Sequence, residues 1–267
     1  MPDTVPTYEL FAIRYAMREA RRAEHFIGGD PHDAPMPMDY FLWVAKGADR
    51  TVVIDAGFTA EVAAQRKRTF LRCPIESLKL VGVDVDAVQD VVLTHMHYDH
   101  VGNFDKFPAA QFHLQEPELH YAVGRYMRYE KLRHSFEVED VVGIVRLNYK
   151  NRVTFYNGPG QVAPGITLHP APGHSAGLQF VKVHTQRGWV VVASDVTHFY
   201  ENMETNRPFT TAFHIGGMLE SFDLLRASAE TPQHIVPGHD PEVMRRYPAP
   251  RPDLQGIAVR LDVAPNA

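Results

Sequence analysis

The segment Thr94-His95-Met96-His97-Tyr98-Asp99-His100 packs three imidazoles and a carboxylate into six positions directly behind the apolar run Val91-Val92-Leu93. A buried strand that stops at such a cluster presents neutral nitrogen donors and an anionic oxygen at a sheet edge. That donor set suits zinc or another borderline divalent metal. With 15 histidines in the chain some clustering arises by chance, so the argument rests on the spacing and not on the count.

Composition narrows where further donors can come from. Cys73 is the only cysteine, which rules out an intrachain disulfide and a thiolate site and leaves histidine and carboxylate as ligands. A length of 267 residues, 45% of them hydrophobic, supports one large core or two halves that share one, and residues 1–267 are read as a single domain. The net charge of −5 encodes no general attraction to nucleic acid or to an anionic membrane, so neither is an expected partner. Met1 to Leu10 lacks a basic stretch followed by an apolar core, and no apolar run approaches the roughly 20 residues of a membrane helix. The expectation is a soluble cytoplasmic protein acting on a small-molecule substrate, and a homodimer is compatible with it.

Tyr8 to Ala16 alternates as an opening strand before the charged run Arg18 to Glu24, and Gly28-Gly29-Asp30-Pro31, with Pro35 and Pro37, reads as an irregular loop. Tyr40 to Ala45 and Thr51 to Asp55 are apolar strands joined by the hairpin Lys46 to Arg50 and followed by a turn at Gly57. Helices are expected over Thr59 to Leu71, with a basic face, over Glu116 to Leu132, where Pro117 suits the first turn, and over Met218 to Ala229. Arg125, Tyr126, Arg128, Tyr129 and Lys131 could line a pocket, but a solvated helix face is the favoured reading. Further strands are Asp90 to Thr94, Val153 to Tyr156, Ile166 to His169, Gln179 to His184, Trp189 to Ala193 and Gln233 to Val236, with a turn over Asn157 to Gly160. This pattern implies two packed sheets flanked by helices.

Three more loop positions follow strands as the first cluster does: His174 in Pro172-Gly173-His174-Ser175, Asp195 in Ala193-Ser194-Asp195, and His239 in Pro237-Gly238-His239-Asp240. Their glycines let the backbone turn sharply beside a bulky ligand. With His95, His97, Asp99 and His100 these residues resemble the metallo-β-lactamase superfamily, whose pattern is His-x-His-x-Asp-His, a distant Gly-His, an Asp after a strand and a final His. All seven positions are matched in order, between about Tyr40 and Asp240. The resemblance implies an α/β fold, a four-layer αβ/βα sandwich with a two-metal site at one edge of the sheets. It implies that His95, His97 and His174 bind the first metal, that Asp99, His100 and His239 bind the second, and that Asp195 bridges them. The implied cofactors are two divalent ions, Zn2+ foremost, since His97 stands where the flavodiiron branch has Glu. In that scheme a metal-bridging hydroxide attacks a carbonyl, and Asp99 serves as general base and acid.

Within the superfamily, Val53-Ile54-Asp55-Ala56-Gly57, Thr94 to Asn103 and Gly238-His239-Asp240 look most like the N-acyl homoserine lactone lactonase group, whose reaction opens a lactone ester. That group has a Tyr three positions after the bridging Asp, in contact with substrate. His198 stands there in this chain and is the candidate catalytic and substrate-binding replacement. Tyr98, Tyr200 and His214 are further candidate substrate contacts. Phe41, Trp43, Met36 and Met38 read as an apolar wall for an acyl or aryl group, or equally as core or a dimer contact. Asp55 and Ser194 are candidates to orient the ligand imidazoles. The same metals would serve hydrolysis of an amide, a thioester or a phosphotriester, which only pocket contacts separate. A nuclease would carry a basic track or clamp domain, and a binding module without turnover would have lost a ligand, so both rank below a hydrolase.

Overall fold

Strands β1 (Glu9–Arg18) and β2 (Met38–Lys46) are buried along most of their length. In β2 the alternation sends Phe41, Trp43 and Ala45 to one apolar cluster and Tyr40, Leu42 and Val44 to another. Strands with two buried faces need cover on both sides. The computed structural model, which describes residues 5–266, shows how that cover is built.

The first sheet continues through β3 (Thr51–Ile54), β4 (Thr69–Phe70), β5 (Asp90–Val92), β6 (Gln111–Gln115) and β7 (Val153–Tyr156). The second holds β8 (Gly160–Ala163), β9 (Ile166–Pro170), β10 (Gln179–Thr185), β11 (Gly188–Ser194) and β12 (Ile235–Pro237), and β13 (Ala258–Arg260) returns to the first. The strand orders are β13-β1-β2-β3-β5-β6-β7, with β4 alongside β1, and β12-β11-β10-β9-β8. One core lies between the sheets, where Trp43 and Phe41 meet Phe180 and Val192, and extends under the helix Ile215–Ser228 through Phe222 and Leu225. The second core lies outside the first sheet, where Val53, Val91 and Phe112 pack on Ile144 of the helix Val138–Asn148. The result is an α/β four-layer sandwich. No helix among the described residues is long and apolar enough to cross a membrane.

Parallel pairing of β3 with β5 (Ile54 opposite Val92) and of β11 with β12 (Val192 opposite Val236) sets the carboxyl ends of these strands side by side. The residues that follow them therefore meet at one rim.

Several elements differ from the sequence-based expectation. The helix expected over Thr59 to Leu71 covers only Ala60–Gln65, because Lys67 takes a positive φ of 55° and the chain reverses to pair Phe70 with Ala16. The helix expected over Glu116 to Leu132 stops at Ala122: a Cβ on Gly124 would sit 2.6 Å from the His120 carbonyl oxygen, and the chain continues as short turns at Arg125–Arg128 and Glu130–Arg133. Strand β6 alternates with polar Gln111, His113 and Gln115, which hides it from a search for apolar runs. Its polar side chains are satisfied internally, His113 by Asp90 and Tyr156 and Gln115 by Gln179. Phe41 and Trp43 are core, between the sheets.

The helix Val138–Asn148 begins with an unfavourable carboxyl. Asp140 Oδ2 is buried without a partner, and burial, reinforced by Glu137 and Asp105, pushes its pKa up to about 7. In the unfolded chain it ionises near about 3.9. The folded state therefore holds the proton more tightly, so stability from this group is present below about pH 4 and is lost as pH rises towards 7. Asp140→Asn is expected to stabilise the protein by about 1–3 kcal/mol at pH 8 and by almost nothing at pH 4, measured by urea unfolding at both pH values.

Candidate metal centre

Each ligand-bearing loop is set by a strand end. After β5 and Leu93, Thr94 Oγ1 hydrogen-bonds Asp55 Oδ2 at 2.9 Å and Ser194 Oγ at 2.9 Å, which joins the ends of β3, β5 and β11. Asp55 and Ser194 both hold positive φ, 64° and 46°, a strained backbone maintained by this network. The turn Tyr98–Val101 then presents Asp99 and His100. Glu118 ties the first histidine loop to that of His174: Oε1 accepts from the Met96 N–H at 2.9 Å, and Oε2 from Ser175 Oγ at 2.7 Å and the Gly177 N–H at 2.8 Å. Gly238 is required beside the site, since a Cβ there would stand 2.6 Å from Asp195 Oδ1.

The seven side chains named from the sequence converge. Nε2 of His95 lies 3.2 Å from Nε2 of His174, and these atoms approach Asp195 Oδ2 at 3.9 and 3.3 Å. Nε2 of His100 is 3.5 Å from Asp99 Oδ2 and 3.4 Å from Asp195 Oδ1. Nε2 of His239 is 3.6 Å and 3.1 Å from the same two oxygens. His95, His97 and His174 form one group, and Asp99, His100, Asp195 and His239 a second, each with its donor atoms within 4.8 Å of one another.

Outward nitrogens fix the inward ones. His174 Nδ1 donates to the Thr211 carbonyl at 2.7 Å and His239 Nδ1 to the Asp39 carbonyl at 2.8 Å, while His100 Nδ1 donates to Asp55 Oδ2 at 2.7 Å. Such acceptors place the proton on Nδ1 and leave the Nε2 lone pair facing the centre. Without a cation, the Nε2 lone pair of His174 would face the ring nitrogen of His95 at close range in a dry site. His100 Nε2 and Asp195 Oδ1 are also buried without hydrogen-bond partners. Divalent cations relieve both problems, and the donors present fit two of them.

The electrostatics divide the donors: burial opposes a charge on His100 and His239, but Asp195 and Asp99 outweigh it and raise both above the usual histidine range. Burial, and then neighbouring imidazoles, hold His95 and His97 well below the usual histidine range, which keeps them neutral. Burial opposes ionisation of Asp195, but His239, His100 and His198 together outweigh it and hold the carboxyl well below its ordinary value. His198 is lowered to about 3, chiefly by burial, despite Asp195.

A cavity of about 120 Å3 opens over the donors. His198 is in its wall, with Nε2 2.9 Å from Asp195 Oδ2 and the ring stacked on Phe209 at 3.6 Å, within donor range of His174 as well. Tyr98 and Met38 also line it. Tyr200 and His214 do not, and their expected substrate contact is corrected: Tyr200 starts the helix Tyr200–Glu204 and lies beneath the Arg246 guanidinium, and His214 caps the helix Ile215–Ser228 by accepting from the Gly217 N–H. Met36 likewise lies outside the cavity wall. Sequence reasoning missed Glu118 and the wall residues Arg66 and Arg68, whose only signal was the basic run Arg66-Lys67-Arg68.

Residues 38–246 match the metallo-beta-lactamase superfamily, and the chain belongs to that family. Among its relatives, the N-acyl homoserine lactonase of Bacillus thuringiensis is 30% identical over 170 residues, covering 63% of this chain and 62% of the relative. The chain thus spans less than two thirds of the length of the curated lactonases it matches. A probable metallo-hydrolase of Mycobacterium tuberculosis is 28% identical over 173 residues, 62% of this chain and 51% of that protein. The fold matches a quorum-quenching N-acyl homoserine lactone lactonase at a TM-score of 0.75, with 21% identity over 90% of this chain and 95% of that one. It matches an N-acyl homoserine lactone hydrolase carrying N-hexanoyl-L-homoserine at its metal centre at 0.74, with 19% identity over 90% and 96%.

Because Asp55 holds the Nδ1 proton of His100, Asp55→Ala is expected to weaken metal affinity by about 10–100-fold. Chelator competition on the folded variant measures this, and a shift below about twofold would count against an orienting role.

Proposed function

We propose that this chain is a di-metal hydrolase that opens a lactone or a closely related carboxylic ester. The observation that carries the reading is the convergence of seven His and Asp donors under one small cavity, in a chain related to proteins named as lactonases. His95, His97 and His174 would hold one cation and Asp99, His100 and His239 the other, with Asp195 reaching both. Zinc is the proposed ion, on the nitrogen-rich donor set. Residues 1–267 are read as one hydrolase domain, a reading supported by the core that both sheets share.

When bound, such a pair supplies Lewis acidity that polarises a carbonyl and acidifies water. The chain's own residues then handle positions and protons. Asp99, at the cavity wall, takes a proton from the attacking water and returns it to the ring oxygen as the C–O bond breaks. The water oxygen ends on the former carbonyl carbon, so the product is a hydroxy acid and no other reactant is consumed. His198 donates from Nε2 to Asp195 Oδ2, which orients that carboxylate, and its ring with Phe209 shapes the wall against which substrate lies. Tyr98 forms another part of that wall, its hydroxyl held by Tyr40 and Arg68.

Metal-replete protein is expected to open γ-lactones. His97→Ala and Asp99→Ala should each lower kcat/KM by more than about a hundredfold while circular dichroism shows the fold retained. A twofold loss would overturn the mechanism, and turnover of an amide or thioester with no lactone hydrolysed would overturn the substrate class. Chelation should abolish activity and lower Tm, with added Zn2+ restoring both.

A further inference from the structure

The cations in the cavity wall are not all neutralised by neighbours. Arg18 pairs with Glu24 at 3.1 Å and Arg66 with Glu137 at 2.7 Å. Arg68 has no carboxylate within salt-bridge range among the described residues. Its Nε donates to the Tyr98 hydroxyl at 3.1 Å and its Nη1 to the Arg66 carbonyl at 2.7 Å, and its Nη2 makes no hydrogen bond to any described residue. The side chain is half-buried in the wall, so it is neither a free surface arginine nor half of an ion pair.

Two hydrogen bonds fix the plane of this guanidinium while part of its donor fork stays unspent, an arrangement matched to a carboxylate. Tyr98, its partner, directly precedes Asp99. Arg68 lines the same cavity as His97, Asp99 and His239, so the metal donors and this guanidinium face one bound substrate. The lining of this cavity is chiefly polar and charged, with a few apolar side chains such as Met38 and Phe209, and a second cavity opens beside it at His134, Ser135 and Thr211.

We propose that Arg68 binds a substrate carboxylate, and that the substrate class is a lactone bearing a carboxylate on or next to its ring. The proposal rests on the lactone reading above. Water adds to the lactone carbonyl, the ring C–O bond breaks, the ring oxygen takes the proton, and the product is a hydroxy dicarboxylic acid.

The test compares 5-oxotetrahydrofuran-2-carboxylate, its neutral N-methylamide and N-hexanoyl homoserine lactone as substrates of the metal-loaded enzyme. Glutarate is titrated calorimetrically in parallel. The wild type is expected to prefer the carboxylate over the amide by about tenfold or more in kcat/KM, mainly through KM. Arg68→Met should bring the two within about threefold, and Arg68→Lys should keep part of the preference. Glutarate should bind Arg68→Met about tenfold more weakly than the wild type. The proposal is overturned if the wild type favours the amide or the hexanoyl lactone, an outcome that needs no variant to fold, or if glutarate binds Arg68→Met as it binds the wild type. If no lactone is turned over, the lactone reading fails by itself, and the glutarate titration still decides whether Arg68 is an anion site.

Discussion

A buried carboxylate with imidazoles on several sides is the constraint around which this molecule is arranged. Asp195 is almost completely removed from water, and His100, His174, His198 and His239 each bring Nε2 within 3.4 Å of one of its oxygens. A charge so placed is costly unless cations or donors surround it. The histidines supply part of that compensation, and their inward lone pairs call for divalent cations to supply the rest. The parallel pairing of β11 and β12, the missing Cβ at Gly238 and the strained backbone at Ser194 all serve to bring this one side chain into the company of donors from distant parts of the chain.

Two joints keep those donors in place. Asp55, Thr94 and Ser194 link strands of the two sheets beneath His100, and Glu118 links the His95–His97 loop to the His174 loop. Neither joint is in the ligand set, yet each fixes loops that carry ligands. The strained φ values at Asp55 and Ser194 are tolerated because the hydrogen bonds at the rim overdetermine them. Rigidity at this level is what holds the donors near mutually useful distances before any ligand arrives.

Much of the centre was readable in the chain because its donors follow apolar strands in short contiguous motifs. Asp99 and His100 follow β5 within a few residues in one contiguous motif, and Gly173 and Gly238 marked the sharp turns at His174 and His239. The substrate wall was not readable in the same way. Arg66 and Arg68 belong to the basic face of the helix expected over Thr59 to Leu71, but that helix ends at Gln65, the chain turns back towards β1 at Lys67, and both side chains line the cavity. Tyr200 is two residues from His198, but the helix that begins there carries its ring away to Arg246.

What the sequence determined by itself is chemistry that depends on local order: strands from apolar runs, turns from glycine, and donor types at strand ends, with Cys73 as the single cysteine. What only the tertiary structure decided is everything that depends on distances between remote segments. That includes the cavity's size, the pairing of Arg18 and Arg66 that leaves Arg68 without a carboxylate, the burial that keeps His198 neutral, and the departure of Tyr200 and His214 from the site. The physical reason is that backbone preference and hydrophobic period act over a few residues, whereas electrostatic neutralisation and packing are settled by whichever neighbours the completed fold brings within a few ångströms.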